Sequence, residues 1–332
     1  MRQTARSVKR MLQGAAALRE APVAVLWAAL FVVFVLRAPY FLENQGLVDY
    51  ARQYTPHALL AVGLTLIIGS GGIDISVGSV LGFCAVTLGV MLSRAGAGLW
   101  AACLLAVLAG TAFGAFNGLA VARLRLQPVV VTLSTMAAAR GLTYVLAGQG
   151  ISSVELPHKA RWLEQAAYVS PAPVVLAVLA AIAASVALSR TTFGRALLAI
   201  GGNETAARLS GINVARVTLA VYTLAGALCG LAGIMTAGMM NTATTDAGTG
   251  YEFEAITAVL VGGTSISGGE ATVVGSMFGV LMAATLGRGF DLMGISDLWK
   301  MMCLGAILIA SVLLDQARRH IARQRAIGEQ KL

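Results

Sequence analysis

Ten stretches of apolar residues follow one another along this chain and leave little sequence for a water-soluble core. Each is close to the roughly 20 residues that a helix needs to cross a bilayer. Hydrophobic residues make up 58% of the chain and charged residues only 12%, with a mean hydropathy of +0.80, which excludes an ordinary soluble domain. We predict an all-α fold, a polytopic transmembrane helical bundle of about ten spans. The expected spans are 22–38, 55–71, 73–93, 99–121, 128–148, 171–189, 215–238, 254–268, 272–290 and 297–314.

Glycine and serine interrupt the apolar runs in two places, GSGGIDISVG at 69–78 and GGTSISGG at 262–269. A helix that breaks inside a membrane is tolerated where the surrounding protein satisfies its backbone groups. Both places join a Gly-Gly pair, a polar turn and a new apolar run, which is either an internal repeat of the kind found in transporters or a coincidence of short motifs. The candidate gate or broken-helix residues are Gly71, Gly72, Asp74, Ser76, Gly262 and Gly263.

The distribution of positive charge predicts the orientation in the membrane. Most of the 24 Lys and Arg residues fall in segments that are cytoplasmic if the N-terminus is inside and ten spans follow, in agreement with the positive-inside rule. We therefore expect both termini in the cytoplasm and the first apolar run to be a retained helix instead of a signal peptide. Three parts are predicted: a cytoplasmic N-terminal segment (1–21), a single transmembrane domain (22–315) with a cytoplasmic loop at 189–217, and a basic cytoplasmic tail (316–332).

The loop at 189–217 contains the signals of one short helix. Asn203 is suited to the N-cap, Glu204 places an acid in the first turn, Arg208 follows four residues later, and Gly211 stands where a helix would stop. The predicted helix is 204–210. A helix this short is marginal alone in water and needs neighbours. It is either an ordinary capped connector or a docking site for a partner.

Small residues recur at four-residue spacing in several spans. Such ridges allow helix backbones to approach closely in a membrane, so we expect these glycines to serve tight packing, with a solute path or a dimer face as the alternative. They are Gly110, Gly114 and Gly118, Gly226 with Gly230, and Gly275 with Gly279.

Several functional classes are excluded by missing motifs. There is no GxxxxGK[ST] phosphate-binding loop, so the chain is not expected to hydrolyse ATP, and no HExxH or GxSxG motif supports an enzyme. The histidines are dispersed, and each cysteine lies in an apolar segment without metal-ligand spacing. The formal net charge of +9 reflects basic residues scattered between spans, which indicates membrane topology and not nucleic-acid binding.

Few ionisable residues fall at membrane depth, where they are costly and commonly functional. Asp74 is the acid best placed for proton or ion coupling, but it also suits the start of a helix at Ile75 or Ser76, the interpretation we favour. We expect Arg140 to pair with carbonyl groups. A neutral path of this kind suits an uncharged polar solute better than an ion.

Four blocks together resemble one known family. They are GGIDISVGS (71–79), QPVVVTLSTMAAARGL (127–142), GRALLAIGGNETAARLSGI (194–212) and YEFEAITAVLVGGTSISGGEATVVG (251–275). In order and spacing they resemble the permease subunit of bacterial ABC importers for monosaccharides, the ribose, xylose and galactose group, over roughly residues 25–315. The branched-chain amino acid permeases share the fold, but the first and third blocks look closer to the sugar branch.

The resemblance implies a division of labour among subunits. It implies a multi-pass permease in the bacterial inner membrane, surrounded by lipid and paired with a second copy or a paralogue. ATP and Mg would be bound by a separate cytoplasmic ATPase, a periplasmic sugar-binding protein would deliver the solute, and this chain would hold no cofactor. By similarity the loop helix would be the ATPase-coupling helix. Its residues would be Asn203, Glu204, Thr205, Arg208, Leu209, Gly211 and Ile212.

Two other functions compete with this interpretation. A secondary carrier or facilitator for a small neutral solute would work without an ATPase and would give Asp74 a titrating role. The branched-chain amino acid branch of the same superfamily would share the machinery but carry another solute.

Overall fold

The computed structural model of the protein describes residues 2–38, 40–166 and 170–329. Residues 330–332 of the predicted basic tail lie outside the described part. The helices are α1 (Arg2–Arg37), α2 (Asn44–Gln53), α3 (Thr55–Gly69), α4 (Val77–Ser93), α5 (Leu99–Ala122), α6 (Pro128–Ala147), α7 (Arg161–Glu164), α8 (Ala172–Arg190), α9 (Thr192–Gly202), α10 (Glu204–Leu209), α11 (Val214–Met240), α12 (Tyr251–Val261), α13 (Val273–Leu292) and α14 (Asp297–Glu329). Two short strands are β1 (Ser153–Glu155) and β2 (Thr242–Thr244).

Each predicted apolar run corresponds to a helix. Among the described residues, six helical segments are long and apolar enough to cross a membrane: 20–37 of α1, then α5, α6, α8, α11 and α13. The apolar helix α4 and the apolar part of α14, Leu298–Leu313, are shorter, as are α3 with 15 residues and α12 with 11. The chain is therefore a multi-pass helical membrane protein.

The most extensive helix contact among the described residues joins α5 to α11 through the predicted glycine ridges. A Cβ at Gly114 would lie 2.2 Å from the carbonyl oxygen of Tyr222, and one at Gly226 would lie 2.2 Å from the carbonyl oxygen of Gly110. No larger residue fits without moving a backbone, so these glycines allow the two helices to touch directly. The prediction of close packing is confirmed at this contact.

The centre of the bundle is α3. All 15 of its residues are buried, and it packs against α8, α11, α12 and α13. Because lipid cannot reach it, α3 is apolar on every face instead of amphipathic. It is the element around which the other helices are arranged.

Both glycine-rich interruptions break a helix. The first separates α3, which ends at Gly69, from α4, which begins at Val77. The second separates α12, which ends at Val261, from α13, which begins at Val273. The eighth predicted span is therefore shorter than expected, because the chain turns at Gly262 instead of continuing to residue 268.

Three features of the chain differ from the predictions. Residues 192–202 form the helix α9 inside the expected loop at 189–217, because Leu197 and Ile200 give that segment a buried apolar face. Helices α1 and α14 continue through the expected N-terminal segment and into the expected tail, so the segment boundaries at 22 and 315 are not helix boundaries. The strands β1 and β2 pair antiparallel, with Val154 opposite Ala243, and join two segments that lie between predicted spans.

Arg140 of α6 pairs with backbone oxygens, as expected. Its Nη1 donates to the carbonyl oxygen of Thr245 at 2.8 Å and to that of Ala247 at 3.0 Å. The guanidinium thus ties α6 to the segment after β2. It supplies hydrogen bonds to carbonyls that a membrane would otherwise leave unsatisfied.

Candidate functional site

The predicted short helix is present as α10, and both of its ends are specified locally. Oδ1 of Asn203 accepts a hydrogen bond from the Ala206 amide at 2.9 Å, as an N-cap does. The helix ends at Leu209, one residue before the predicted end at Ser210. Gly211 follows with a φ of +82°, a conformation that glycine adopts without strain.

Glu204 and Arg208 form the predicted pair across one turn of α10. Arg208 Nη2 lies 2.6 Å from Glu204 Oε1. The side chain of Arg208 is 51% exposed and that of Glu204 is 59% exposed. An exposed pair at this spacing stabilises a helix by only about 0.3–0.5 kcal/mol. Its larger effect is to present both charges at the surface of α10.

The apolar residues of α10 and its C-terminal flank lie on two sides. Leu209 is 84% exposed, and Thr205 is exposed as well. Ile212 instead packs on a small cluster formed by Ile200 and Val214 with the buried Ala207. Ile212 therefore fastens α10 to α9 and α11, and Leu209 is the large apolar side chain that α10 exposes to solvent.

The glycines just before α10 contact both broken helices. A Cβ at Gly201 would lie 2.1 Å from the carbonyl oxygen of Gly69 and 2.4 Å from the amide nitrogen of Gly269. That same Gly269 amide donates a hydrogen bond to the Gly69 carbonyl at 3.0 Å. Backbones this close leave no space for a side chain.

The two interrupted segments also touch each other here. A Cβ at Gly268 would lie 2.8 Å from Cα of Gly71, and a Cβ at Gly269 would lie 2.8 Å from Cα of Gly202. We call the meeting of 69–72, 201–202 and 268–269 the glycine junction. It connects the chain leading into α10 with the ends of both helix breaks.

The remaining gate candidates lie beside the junction. Gly262 ends α12 and packs on the first turn of α13, where its Cβ would lie 2.5 Å from the Ser276 amide nitrogen. Gly263 follows with a positive φ. The contact with the first motif is made by the second Gly-Gly pair of GGTSISGG, Gly268 and Gly269, which the sequence analysis did not single out.

Asp74 organises the break between α3 and α4. Its Oδ1 accepts hydrogen bonds from the Ser76 amide at 2.8 Å and from the Ser76 hydroxyl at 2.6 Å. The predicted helix start at Ile75 or Ser76 is wrong, because α4 begins at Val77 with Ser76 at its N-cap, and Asp74 closes the turn before the helix instead of capping it. The buried carboxylate therefore has partners within its own turn.

Side chains of neighbouring helices extend this network. Asn117 of α5 donates from Nδ2 to the Ser76 hydroxyl at 3.1 Å, and Thr135 of α6 donates to Oδ1 of Asn117 at 2.6 Å. Tyr222 of α11 donates from its hydroxyl to the Ile73 carbonyl at 3.3 Å. The first break is thus held by α5, α6 and α11.

A cavity of about 380 Å³ separates α10 from the first break. Polar groups from both elements line it, and the surroundings include Gly71, Arg125, Glu204, Arg208 and Tyr222. Within the described residues, no group of three His, Cys, Asp or Glu side chains is placed to hold a metal ion.

Comparison with known proteins identifies the family. The model of the family described as "Branched-chain amino acid transport system / permease component" matches residues 46–312. This chain belongs to that family. The matched segment includes α10, the glycine junction and both helix breaks, so every residue of the candidate site lies within it.

Curated proteins similar to this chain include import permeases. The ribose import permease protein RbsC of Bacillus subtilis (strain 168) is 37% identical over 300 residues, which cover 90% of this chain and 92% of RbsC. RbsC of Escherichia coli (strain K12) is 37% identical, with 85% and 89% covered. The autoinducer 2 import system permease protein LsrC of Yersinia pseudotuberculosis serotype O:1b (strain IP 31758) is 35% identical, with 82% and 77% covered. No solved structure matches this chain.

Proposed function

We propose that this chain is the membrane permease of an ABC importer that carries a monosaccharide, a pentose or hexose, into the cell. The proposal is supported by near full-length similarity to ribose import permeases and by the family match over 46–312. The similarity to ribose import permeases favours the sugar branch of the family over the branched-chain amino acid branch. The permease itself is not an enzyme.

The proposed topology has ten spans and both termini in the cytoplasm. The spans are α1, α3 to α6, α8 and α11 to α14, which places α9 and α10 on the cytoplasmic side and β1 and β2 outside. The bias of Lys and Arg supports this orientation. Residues 1–21 and 316–332 then flank a single permease domain, 22–315, whose cytoplasmic coupling loop is 189–217, in the bacterial inner membrane.

The surface of α10 is the proposed contact with a cytoplasmic ABC ATPase. The observation that carries this proposal is Leu209, 84% exposed on a short helix fixed from behind by Ile212 and by the glycine junction. Arginine is enriched among the residues that contribute most to interface affinity, and the exposed Leu209 adds apolar area beside the exposed Arg208. ATP and Mg belong to the ATPase, and this chain supplies no cofactor.

The glycine junction supplies the proposed mechanical link. When the ATPase subunits close on ATP, they move α10, and Gly201 and Gly202 move with it. Backbones in direct contact leave no soft side chain to absorb the displacement, so the ends of α3 and of the 262–272 turn shift as well. The permease would then exchange between inward- and outward-facing states, with the binding of ATP biasing the population.

Other partners complete the importer. A periplasmic sugar-binding protein would deliver the solute to the outer face, and a second permease, either another copy of this chain or a paralogue, would form the other half of the path. Membrane lipid surrounds the spans, and nucleic acid is not a partner. The alternative of a secondary carrier is less well supported, because Asp74 is engaged by Ser76.

Co-purification tests the docking proposal. The permease and its ABC ATPase subunit are co-expressed, and the complex is isolated in detergent through a tag on the permease. Leu209→Glu is expected to remove the ATPase from the purified complex, because it places a charge in an apolar contact. Leu292→Glu, which changes an exposed leucine at the outer end of α13, is the matched control. Equal recovery of the ATPase with both variants contradicts the proposal.

A further inference from the structure

A second cavity lies at the opposite ends of the helices that lead to the glycine junction. It has a volume of about 540 Å³ and is lined by α2, α12, α13 and α14 and by Tyr54, the residue between α2 and α3. Its polar end is formed where α3 and α12 begin, and α3 is about 22 Å long by its rise per residue. In the proposed topology this is the outer side of the membrane.

Two ionisable side chains from distant parts of the chain, Glu254 and Lys300, line this cavity, and His57 contacts Glu254 from outside the lining. Oε1 of Glu254 lies 3.2 Å from Nζ of Lys300, and Oε2 of Glu254 lies 3.3 Å from Nε2 of His57. The side chains of Glu254 and Lys300 are each less than one fifth exposed, and that of His57 is 8% exposed. Both ring nitrogens of His57 and Oε2 of Glu254 lack a hydrogen bond within the described residues.

Such an arrangement is poorly explained as a stabilising element. Burying a charge pair costs solvation energy that the attraction between the charges often fails to offset. Unsatisfied buried polar atoms add a further cost of about 1–3 kcal/mol each. Groups kept in this condition at membrane depth are commonly functional.

Aromatic rings surround the charged groups. Nζ of Lys300 lies 5.6 Å from the centre of the Tyr54 ring, and the Tyr54 and His57 rings are 5.0 Å apart at their centroids. The Tyr251 ring lies 4.0 Å from that of His57. The cavity itself is lined by the rings of Tyr50, Tyr54 and Phe253. Flat apolar faces beside hydrogen-bonding groups are the combination that a sugar ring needs, since it carries C–H groups on its faces and hydroxyls at its edge.

Neutral hydrogen-bonding groups complete the wall. The Tyr50 hydroxyl donates to Oδ2 of Asp291, and burial together with this bond raises the pKa of Tyr50 well above its usual value, so the phenol remains protonated. The exposed side chains of Gln53 and Thr249 also line the cavity. The wall thus offers both donors and acceptors.

We propose that this cavity is a transient binding site for the monosaccharide on the outer part of its path, with Glu254 and Lys300 as the groups that bind its hydroxyls. Because Glu254 and Lys300 already neutralise each other, an uncharged polyol can bond to both without separating them. The volume lies within the range of about 300–1,000 Å³ that small-molecule sites have. This inference rests on the proposed function.

The test uses the complete importer, with its ATPase and sugar-binding protein, in proteoliposomes and radiolabelled D-ribose as the probe. Glu254→Gln and Lys300→Met are each expected to lower the initial uptake rate about tenfold or more, the effect of losing one hydrogen bond to a charged group. ATP hydrolysis stimulated by the ribose-loaded binding protein is expected to stay within about twofold of the wild type. Glu43→Gln, which changes an exposed carboxylate outside the cavity, is expected to leave uptake unchanged.

Exchanging the two charges distinguishes a role of Glu254 and Lys300 in binding the solute from a purely structural role as an ion pair. The double variant Glu254→Lys with Lys300→Glu keeps an ion pair but places each group where the other belongs. Uptake is expected to remain low. Recovery of wild-type uptake in the double variant, or unchanged uptake in both single variants, contradicts the proposed site.

Protection from chemical labelling measures binding without transport. Gln53→Cys is labelled with a membrane-impermeant maleimide from outside, with wild-type protein as the control for native cysteines. Millimolar ribose is expected to slow the labelling of Gln53→Cys but not that of Glu43→Cys. An unchanged rate with ribose, or slowing by leucine instead, contradicts the proposal.

The failure of this proposal can be distinguished from the failure of the proposed function. If the wild-type importer takes up neither ribose, xylose nor galactose, the proposed function fails. Normal uptake by the wild type together with unaffected variants contradicts only the proposed binding site in the cavity.

Discussion

The amide of Gly269 donates a hydrogen bond to the carbonyl oxygen of Gly69, 3.0 Å away, and Gly201 packs directly against both groups. Residues far apart in sequence are thus fixed to one another by their backbones. Gly201 precedes the N-cap of α10 by two residues. We therefore expect a displacement of α10 to act on the residues where α3 ends and on the turn between α12 and α13.

Substitution of Gly201 by alanine is expected to weaken the glycine junction. Its Cβ would lie 2.1 Å from the Gly69 carbonyl oxygen, and relieving such overpacking costs about 1–3 kcal/mol. Because we propose that this contact also couples α10 to the helix breaks, we expect ATP hydrolysis by the assembled importer to continue while sugar uptake falls. Gly98→Ala, at a position with no neighbour within 4 Å, is the control. Equal uptake by the two variants contradicts a transmitting role for the junction.

The contact between α5 and α11 is expected to govern stability. Gly114→Val would push a side chain into the Tyr222 carbonyl oxygen, 2.2 Å from the Cβ position, and should lower the thermal unfolding temperature in detergent by the equivalent of about 1–3 kcal/mol. Gly141→Ala on α6, where a Cβ has open space, should be neutral or slightly stabilising because alanine favours helices. Indistinguishable melting temperatures would refute the packing account.

The N-cap of α10 is expected to determine how firmly the ATPase binds. Asn203→Ala removes the acceptor for the Ala206 amide, which costs about 1 kcal/mol of helix stability. The affinity for the ATPase should fall about fivefold as a result, as measured by titration of the detergent-solubilised permease. Asn203→Ser retains an acceptor and should restore most of the affinity. Failure of serine to do better than alanine argues against a capping role.

Asp74 distinguishes an ATP-driven permease from a proton-coupled carrier. Asp74→Asn keeps an oxygen that can accept from Ser76, so we expect uptake to remain within about threefold of the wild type. Asp74→Ala leaves Ser76 and Asn117 without this acceptor and should destabilise the protein by about 1–3 kcal/mol. Uptake is measured with and without an uncoupler. Complete loss of uptake in Asp74→Asn supports a titrating role and contradicts our assignment.

Local signals in the sequence were sufficient for much of this structure. Apolar run length predicted a helix for every expected span, and Asn203 and Gly211 predicted the ends of α10 to within one residue. The four-residue spacing of Gly110 and Gly114 predicted close packing. Each of these features depends on residues that are near one another in the chain.

Features that depend on distant residues could not be predicted in the same way. The sequence predicts α9 less clearly than a membrane span, because the apolar face of α9 is short. The glycines at the end of α9 also gave no indication that Gly69 and Gly269 would meet beside them. The meeting of His57, Glu254 and Lys300 depends on how α3, α12 and α14 pack. The second Gly-Gly pair of GGTSISGG was the available clue to the junction, since a glycine pair often marks a close backbone approach.

Reconstituted uptake tests the central claim that α10 couples an ATPase to sugar import. Radiolabelled ribose uptake is measured in proteoliposomes that contain the permease and binding protein, with the ATPase either present or omitted, and again with Leu209→Glu. We predict uptake only with ATP and the ATPase, and its loss in Leu209→Glu. Uptake that persists without the ATPase and collapses with an uncoupler contradicts the account.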